Sequence, residues 1–349
     1  HFLGFAAICL ETEDVSYIIF YGFQQILLFA TIALFRVAYP EADKLVINNM
    51  CMLLTISFIM LTRISYQKSI RQFIIVAVSL IIGLFIPFLV SKLKFLKHLT
   101  WIYGMVGVFA LLVVAVLGSV THGSKISYSI NGFTFQPSEF VKIAMIIVLA
   151  GAMSERTSLR ELIAPTLFAV AVCALLVLQR DLGAAMLMAM VYMLMFYAAT
   201  CKLGTTLLGA AACGVGAVAS YYLFDHVKRR VAVWRDPWAT YSTSGYQIAQ
   251  GLMAIASGGL LGMGLGLGSP KLIPAYRTDY IFAVICEEFG IVFGIGIIAI
   301  YLIIVIRGCM AALSVKNRFV SLCAFGASAL IAVQAFIIIG GVIKLIPLT

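Results

Sequence analysis

The 349 residues carry 24 Lys and Arg against 14 Asp and Glu, a formal net charge of +10, and 63% of them are hydrophobic while only 11% are charged. Soluble domains use roughly one-half apolar and one-quarter charged residues, and their helices show amphipathic stripes where this chain shows uniformly apolar runs, so a soluble fold is excluded. Short alternating segments are missing too, which excludes a β-barrel.

In chain order, His1 is not an initiator Met, and Glu11, Glu13 and Asp14 follow a short apolar start. No signal sequence is read there, and the chain is expected to begin mid-protein. Apolar runs of roughly 20 residues, the length that crosses about 30 Å of hydrocarbon, then predict ten spans. They lie at 17–38, 45–63, 72–91, 99–120, 138–153, 163–179, 182–200, 203–224, 279–306 and 319–341. The expected fold class is all-α, a polytopic transmembrane helical bundle. The ninth run would make a helix of roughly 40 Å, so it must tilt or project beyond the bilayer. Two connections are long, 121–137 and 225–278, and an even number of spans between them opens both on one side. Polar loops of this kind fold over the surface or into a cavity.

Lys92, Lys94, Lys97, Arg156, Arg160, Lys202, Arg307, Lys316 and Arg318 favour cytoplasmic short loops, but Lys228, Arg229, Arg230, Arg235, Lys271 and Arg277 lie in the long opposite loop. The positive-inside rule does not decide between them. With the short loops inside, a basic outer loop invites an anionic ligand, and diphosphate is the obvious one. The 8 cysteines sit singly in or beside apolar runs and read as packing, and the 4 histidines are too scattered for a metal cluster. The glycines from Gly258 to Gly268 have no strand around them, so close backbone packing is favoured over a phosphate cradle. Neither an internal repeat nor an interrupted helix is seen.

Ionisable groups within spans are costly and become site candidates by default. In Gln136-Pro137-Ser138-Glu139, Pro137 suits a first helical turn and Glu139 faces the positive end of the dipole. Lys142 lies deeper on the same face, where a structural ion pair and a substrate-binding pair are equally open. Asp181 reads as an N-cap. Trp234 to Trp238 form an aromatic interfacial loop, suited to lipid headgroups or to sugar. Thr278 and Asp279 stand at the ninth span, where Thr278 caps and Asp279 complements the dipole, or Asp279 serves as a base. Glu287 and Glu288 cannot both face lipid, and one is expected to pair with a buried cation or polar backbone.

Taken in order, Gln136-Pro137-Ser138-Glu139 with Lys142, Asp181-Leu182-Gly183, Trp234 with Asp236-Pro237, Gly245-Tyr246-Gln247 with Gln250, Gly264-Leu265-Gly266 with Lys271, Thr278-Asp279-Tyr280-Ile281-Phe282 and Glu287-Glu288-Phe289-Gly290 resemble the SEDS family, the RodA, FtsW and SpoVE group. The resemblance implies an N-terminal segment over 1–44 with one extra span, a SEDS-like core over 45–349 that lacks the family's last helix, and a long extracellular loop over 225–278. It implies a peptidoglycan glycosyltransferase that polymerises lipid II into glycan strands at the outer face of the bacterial plasma membrane, for elongation, division or sporulation. Asp279 then matches the family's essential acid, Glu139 and Lys142 its intramembrane pair, and Arg230, Lys271 and Glu288 further positions around the cavity. A class B penicillin-binding transpeptidase and membrane lipids are the implied partners; no nucleic acid and no organic cofactor are expected. Ala275 replaces a Glu common in relatives, Arg277 replaces a His, and a Trp common in the first outer loop is missing around Lys125 to Tyr128.

The expected chemistry is an inverting displacement with Asp279 as general base. Arg229, Arg230, Lys271 or Lys142, with a divalent cation such as Mg or Mn, stabilise the leaving diphosphate. The rivals are a flippase for the same precursor, with Glu139 and Lys142 as its polar pathway, and a non-catalytic scaffold of the cell-wall machinery.

Overall fold

The computed structural model describes residues 1–92, 99–117, 119–121, 124–130, 133–154 and 160–347. Lys94, Lys97 and Arg156, used above for orientation, lie outside the described residues, as do the side chains of Lys125 and Tyr128. Among the described residues the regular structure is helical apart from one small antiparallel ribbon, and the chain divides into two compact units, 1–92 with 229–307 and 338–348, and 93–228 with 308–337.

Eight described helices are long and apolar enough to cross a membrane: α2 (Ser16–Ala38), α3 (Lys44–Ile64), α4 (Tyr66–Lys92), α6 (Pro137–Ser154), α8 (Leu182–Thr200), α9 (Leu203–Leu223), α13 (Ile291–Ser314) and α14 (Arg318–Val342). Together they make the chain a multi-pass membrane protein. Shorter apolar helices are α1 (Phe2–Thr12), α5 (Thr100–Leu117) and α7 (Ile163–Leu178). The expected fourth and sixth spans correspond to α5 and α7.

Local chemistry sets several of these ends. Asp43 caps α3, its Oδ1 accepting from the Leu45 and Val46 amides at 2.9 and 3.3 Å. Asp181 caps α8 through the Ala184 amide at 3.0 Å, as its position before the run predicts. Pro137 opens α6, where its missing N–H costs nothing.

In the second unit α6 is the most enclosed span, burying Met145, Val148, Leu149 and Met153. Gly151 allows α6 to pass close to Thr100 of α5, since a Cβ there would run into that side chain. The connection after α5, expected as a long polar loop, carries strands β1 (Ser119–Thr121), β2 (Ser124–Ile130) and β3 (Phe133–Phe135) in the order β1-β2-β3, with Val120 opposite Lys125 and Ser129 opposite Thr134.

The long loop is partly helical, containing α10 (Asp225–Arg235) and α11 (Tyr246–Gly258). The expected ninth span over 279–306 is not one helix. It breaks at Gly290 (φ 87°, ψ 167°) into α12 (Ile281–Phe289) and α13. That backbone conformation is open essentially to glycine alone.

Such a break strands carbonyls at the end of one helix and amides at the start of the next, and the glycine-rich turn after α11 takes up both. Met263 and Gly264 donate to the Glu287 and Glu288 carbonyls at 3.0 Å each, while Ile291 and Val292 donate to the Gly259 and Leu260 carbonyls at 2.9 and 3.3 Å. Gly258, Gly262 and Gly290 make the approach possible, because a Cβ on any of them would overlap the opposing backbone. The glycine cluster is therefore a backbone brace.

Candidate active site

Between a 3₁₀ turn at Pro270–Leu272 and α12, the chain turns through Ala275, whose φ of 57° is left-handed. The Ala275 carbonyl accepts from the amides of Thr278 and Tyr280 at 3.0 and 3.3 Å, and from the Thr278 hydroxyl at 3.3 Å. Thr278 is thus committed to this turn and does not cap α12, which starts after Tyr280 with no side-chain cap at all. The expected Thr278 cap is corrected accordingly.

Asp279 is exposed, and its carboxylate has no hydrogen bond or ion pair among the described residues. Its neighbour Tyr280 is wholly buried in the unit's core with Ile248, Ala254, Ile273 and Val284. The Tyr280 ring lies against Gly251 of α11, where any Cβ would collide with it. An anchored aromatic beside an unencumbered carboxylate fixes the main chain at Asp279 while leaving its oxygens to meet a ligand.

Cations surround this segment in sequence. Lys271 is exposed on the 3₁₀ turn, and Arg229 and Arg230 are exposed on α10. Arg277 is exposed as well, with its guanidinium 4.9 Å from the centre of the Tyr276 ring and its Nε donating to the Tyr276 hydroxyl at 2.8 Å. Among the described residues, neither Lys271 nor Arg229 forms an ion pair with Asp279.

Glu287 and Glu288 are both buried, at 6% and 1% exposure. Glu287 Oε1 accepts from the Ser269 amide at 3.1 Å. Glu288 faces Arg63 of α3, with Nη2 3.4 Å from Oε1. The same Nη2 donates to the Gly266 carbonyl at 2.7 Å. Glu288, which the resemblance matches to a position around the cavity, has the half-buried Arg63 guanidinium and the glycine brace as neighbours, a cation pairing of the kind expected on cost grounds. Sequence reading does not single out Arg63, although an arginine at the end of an apolar span is itself a signal.

In the second unit, Lys142 Nζ lies 2.7 Å from Glu139 Oε1, with the lysine side chain 6% exposed and the glutamate 54% exposed. One helical turn brings them together, as the spacing predicts, and it leaves the glutamate facing outward.

The chain matches the model of a family described as cell cycle protein, the FtsW, RodA and SpoVE family, over residues 43–349. It is 36% identical over 269 residues to the peptidoglycan glycosyltransferase RodA of Mycobacterium tuberculosis, covering 71% of this chain and 57% of that protein. It is 33% identical over 279 residues to stage V sporulation protein E of Bacillus subtilis, covering 77% and 76%. The chain thus spans little more than half the length of the RodA relative. Among solved structures, Thermus thermophilus rod shape determining protein RodA superposes with a TM-score of 0.62 at 21% identity, over 86% of this chain and 85% of that one. A chain of a peptidoglycan synthase complex superposes with a TM-score of 0.63 at 20% identity, over 93% and 87%. At those identities the two structures speak for the fold alone, and they agree with the helical architecture above. On the family match and the curated relatives together, this chain belongs to the FtsW, RodA and SpoVE family of cell cycle proteins.

Proposed function

We propose that this protein is a peptidoglycan glycosyltransferase that polymerises lipid II at the outer face of the bacterial plasma membrane, with Asp279 as its general base. The observation that carries the proposal is the Asp279 carboxylate, exposed, uncapped and unpaired beside a buried anchor. The relatives' printed activity, peptidoglycan glycosyltransferase, supports the same reading.

In the proposed step Asp279 takes the proton of the acceptor sugar's 4-hydroxyl as that oxygen forms a bond to the donor's anomeric carbon. The anomeric carbon's bond to phosphate breaks on the opposite side, and undecaprenyl diphosphate leaves with the electron pair. One displacement inverts the configuration. Charge grows on the diphosphate as the bond breaks, and fixed cations at a poorly solvated boundary lower its energy by several kcal/mol, about 3 for a single well-placed donor. Lys271, Arg229 and Arg230 are the side chains assigned to it. Among the described residues no three His, Cys, Asp or Glu groups come together as metal ligands. A divalent cation such as Mg or Mn is a further proposed partner of the diphosphate, of the kind held mainly by substrate phosphates with one or two carboxylates, and no step is routed through it. A class B penicillin-binding transpeptidase is the proposed partner.

The test is purified protein with lipid II in detergent, reading glycan strands on a gel. Wild type should polymerise, and Asp279→Asn, which keeps shape and loses basicity, should fall by about 10²- to 10⁴-fold. Undiminished polymer from Asp279→Asn would refute the assignment, and precursor movement across vesicles without polymer would favour a flippase.

A further inference from the structure

We propose that Arg63 is a positioning residue for the glycosyl transfer: it sets α12, and with it Asp279, through a tie to Glu288 and the glycine brace. The inference rests on the reading of Asp279 as the base.

Asp279 stands two residues before α12, and Glu288 is the penultimate residue of that helix. A nine-residue helix is a rod of about 13 Å, so where its far end is held decides where its near end lies. Two things hold the far end. The backbone bonds of the glycine turn clasp the Glu287 and Glu288 carbonyls. Arg63 then fixes the turn to α3, because a single nitrogen both donates to the Gly266 carbonyl at 2.7 Å and faces Glu288 Oε1 at 3.4 Å.

Among the described residues, Arg63 is the cation paired with Glu288. The Glu288 side chain is 0% exposed and the Arg63 side chain 20% exposed. Both Glu288 carboxylate oxygens, and Arg63 Nε, lack a hydrogen-bond partner. Glu287 faces the same turn through Ser269, and Glu11 of α1 lies against Gly266, where its Oε2 would stand 2.5 Å from any added Cβ. Three carboxylates thus lie along the turn from Gly266 to Ser269, and Arg63 faces one of them, Glu288. Arg63 is the cation that faces this buried acid, and the Gly266 amide also favours its charged form. Nothing in this network reaches the exposed Asp279 oxygens, so it acts through the helix.

The experiment compares Arg63→Met and Arg63→Lys with wild type and Asp279→Asn in the full chain, by rates per folded molecule across donor concentration and pH. Misplacement of the base by a fraction of an ångström should lower kcat of Arg63→Met by about 10- to 100-fold. KM should stay within about twofold, and the acid limb of the pH profile should not move. Arg63→Lys keeps the charge but not the reach to both acceptors, so its kcat should fall between the two and rescue part of the loss. Wild-type kcat in both variants, with only recovery or thermal stability reduced, overturns the proposal. Should Arg63→Met fail to fold, wild-type kcat in Arg63→Lys alone overturns it and a reduced kcat at unchanged KM supports it. Polymer from Asp279→Asn would instead overturn the base assignment, and the positioning role with it.

Discussion

Replacing Gly290 by Ala tests the brace around the broken helix. At φ 87° and ψ 167° an L-residue costs about 1–3 kcal/mol for backbone strain alone. The new Cβ would also press on the Leu260 carbonyl and stand 2.5 Å from the Gly262 amide. The glycine turn must back away, which endangers the four backbone bonds of Met263, Gly264, Ile291 and Val292. At about 1 kcal/mol net for each bond, losing half of them adds about 2 kcal/mol. The total, about 3–5 kcal/mol, is a large share of the 5–15 kcal/mol that holds a typical domain folded. Thermal unfolding in detergent, followed by size-exclusion recovery, measures it, and Gly22→Ala is the control. Gly22 sits inside α2 with nothing near an added Cβ, so that change should be neutral or stabilise by up to about 1 kcal/mol. If Gly290→Ala unfolds within 1 °C of wild type, the brace has been misjudged.

Two further outcomes follow from ion pairs. Asp43 both caps α3 and accepts from Arg307 Nε at 2.7 Å. Partial burial works against its charged form, but the Arg307 hydrogen bond, the Val46 and Leu45 amides and the Arg307 charge outweigh it and hold the carboxyl below its ordinary range. A depressed acid stabilises the fold above its unfolded pKa of about 3.9 and loses that contribution as pH falls through the lower folded value. Asp43→Ala should therefore cost about 2–3 kcal/mol near neutral pH, from the cap and the charged hydrogen bond together, and the gap from wild type should narrow below about pH 4; a gap independent of pH would contradict it. In α6, Lys142→Met removes a buried charge while keeping apolar length. If the pair binds substrate, this variant should match wild type in abundance within about 1 kcal/mol of stability yet lose most glycan synthesis, whereas full synthesis would leave the pair a structural role only.

Most spans were legible in the sequence. For α6, α8, α9 and α14 the observed ends lie within one residue of those expected, because unbroken apolar runs end there at Pro137, Asp181, Lys202 and Arg318. The start of α4 was not legible. Gln67, Lys68 and Arg71 read as a loop, yet they extend the helix back to Tyr66, since a helix need not end where its apolar run does. Hydropathy also passes over α10 and α11, which are not spans, and over the break at Gly290, which lies within a long run that is apolar but for Glu287 and Glu288. Among the candidate residues, the Glu139 and Lys142 pair follows from helical spacing alone. The roles of Arg63 and Gly266 do not, because both depend on contacts between segments far apart in the chain. Asp279 stood out as a residue type in the right place, but its freedom from capping was visible only once Thr278 was seen to turn back on Ala275.

The interruption between α12 and α13 bears on the rival reading as a carrier. Carriers that pass ions or solutes through a bilayer seat them at half-helix ends, whose vacant donors and acceptors take the place of water. Here those ends are stoppered by peptide groups of the same chain. A cargo arriving at Gly290 would have to evict its own protein first, which makes the kink a fixed elbow rather than a berth.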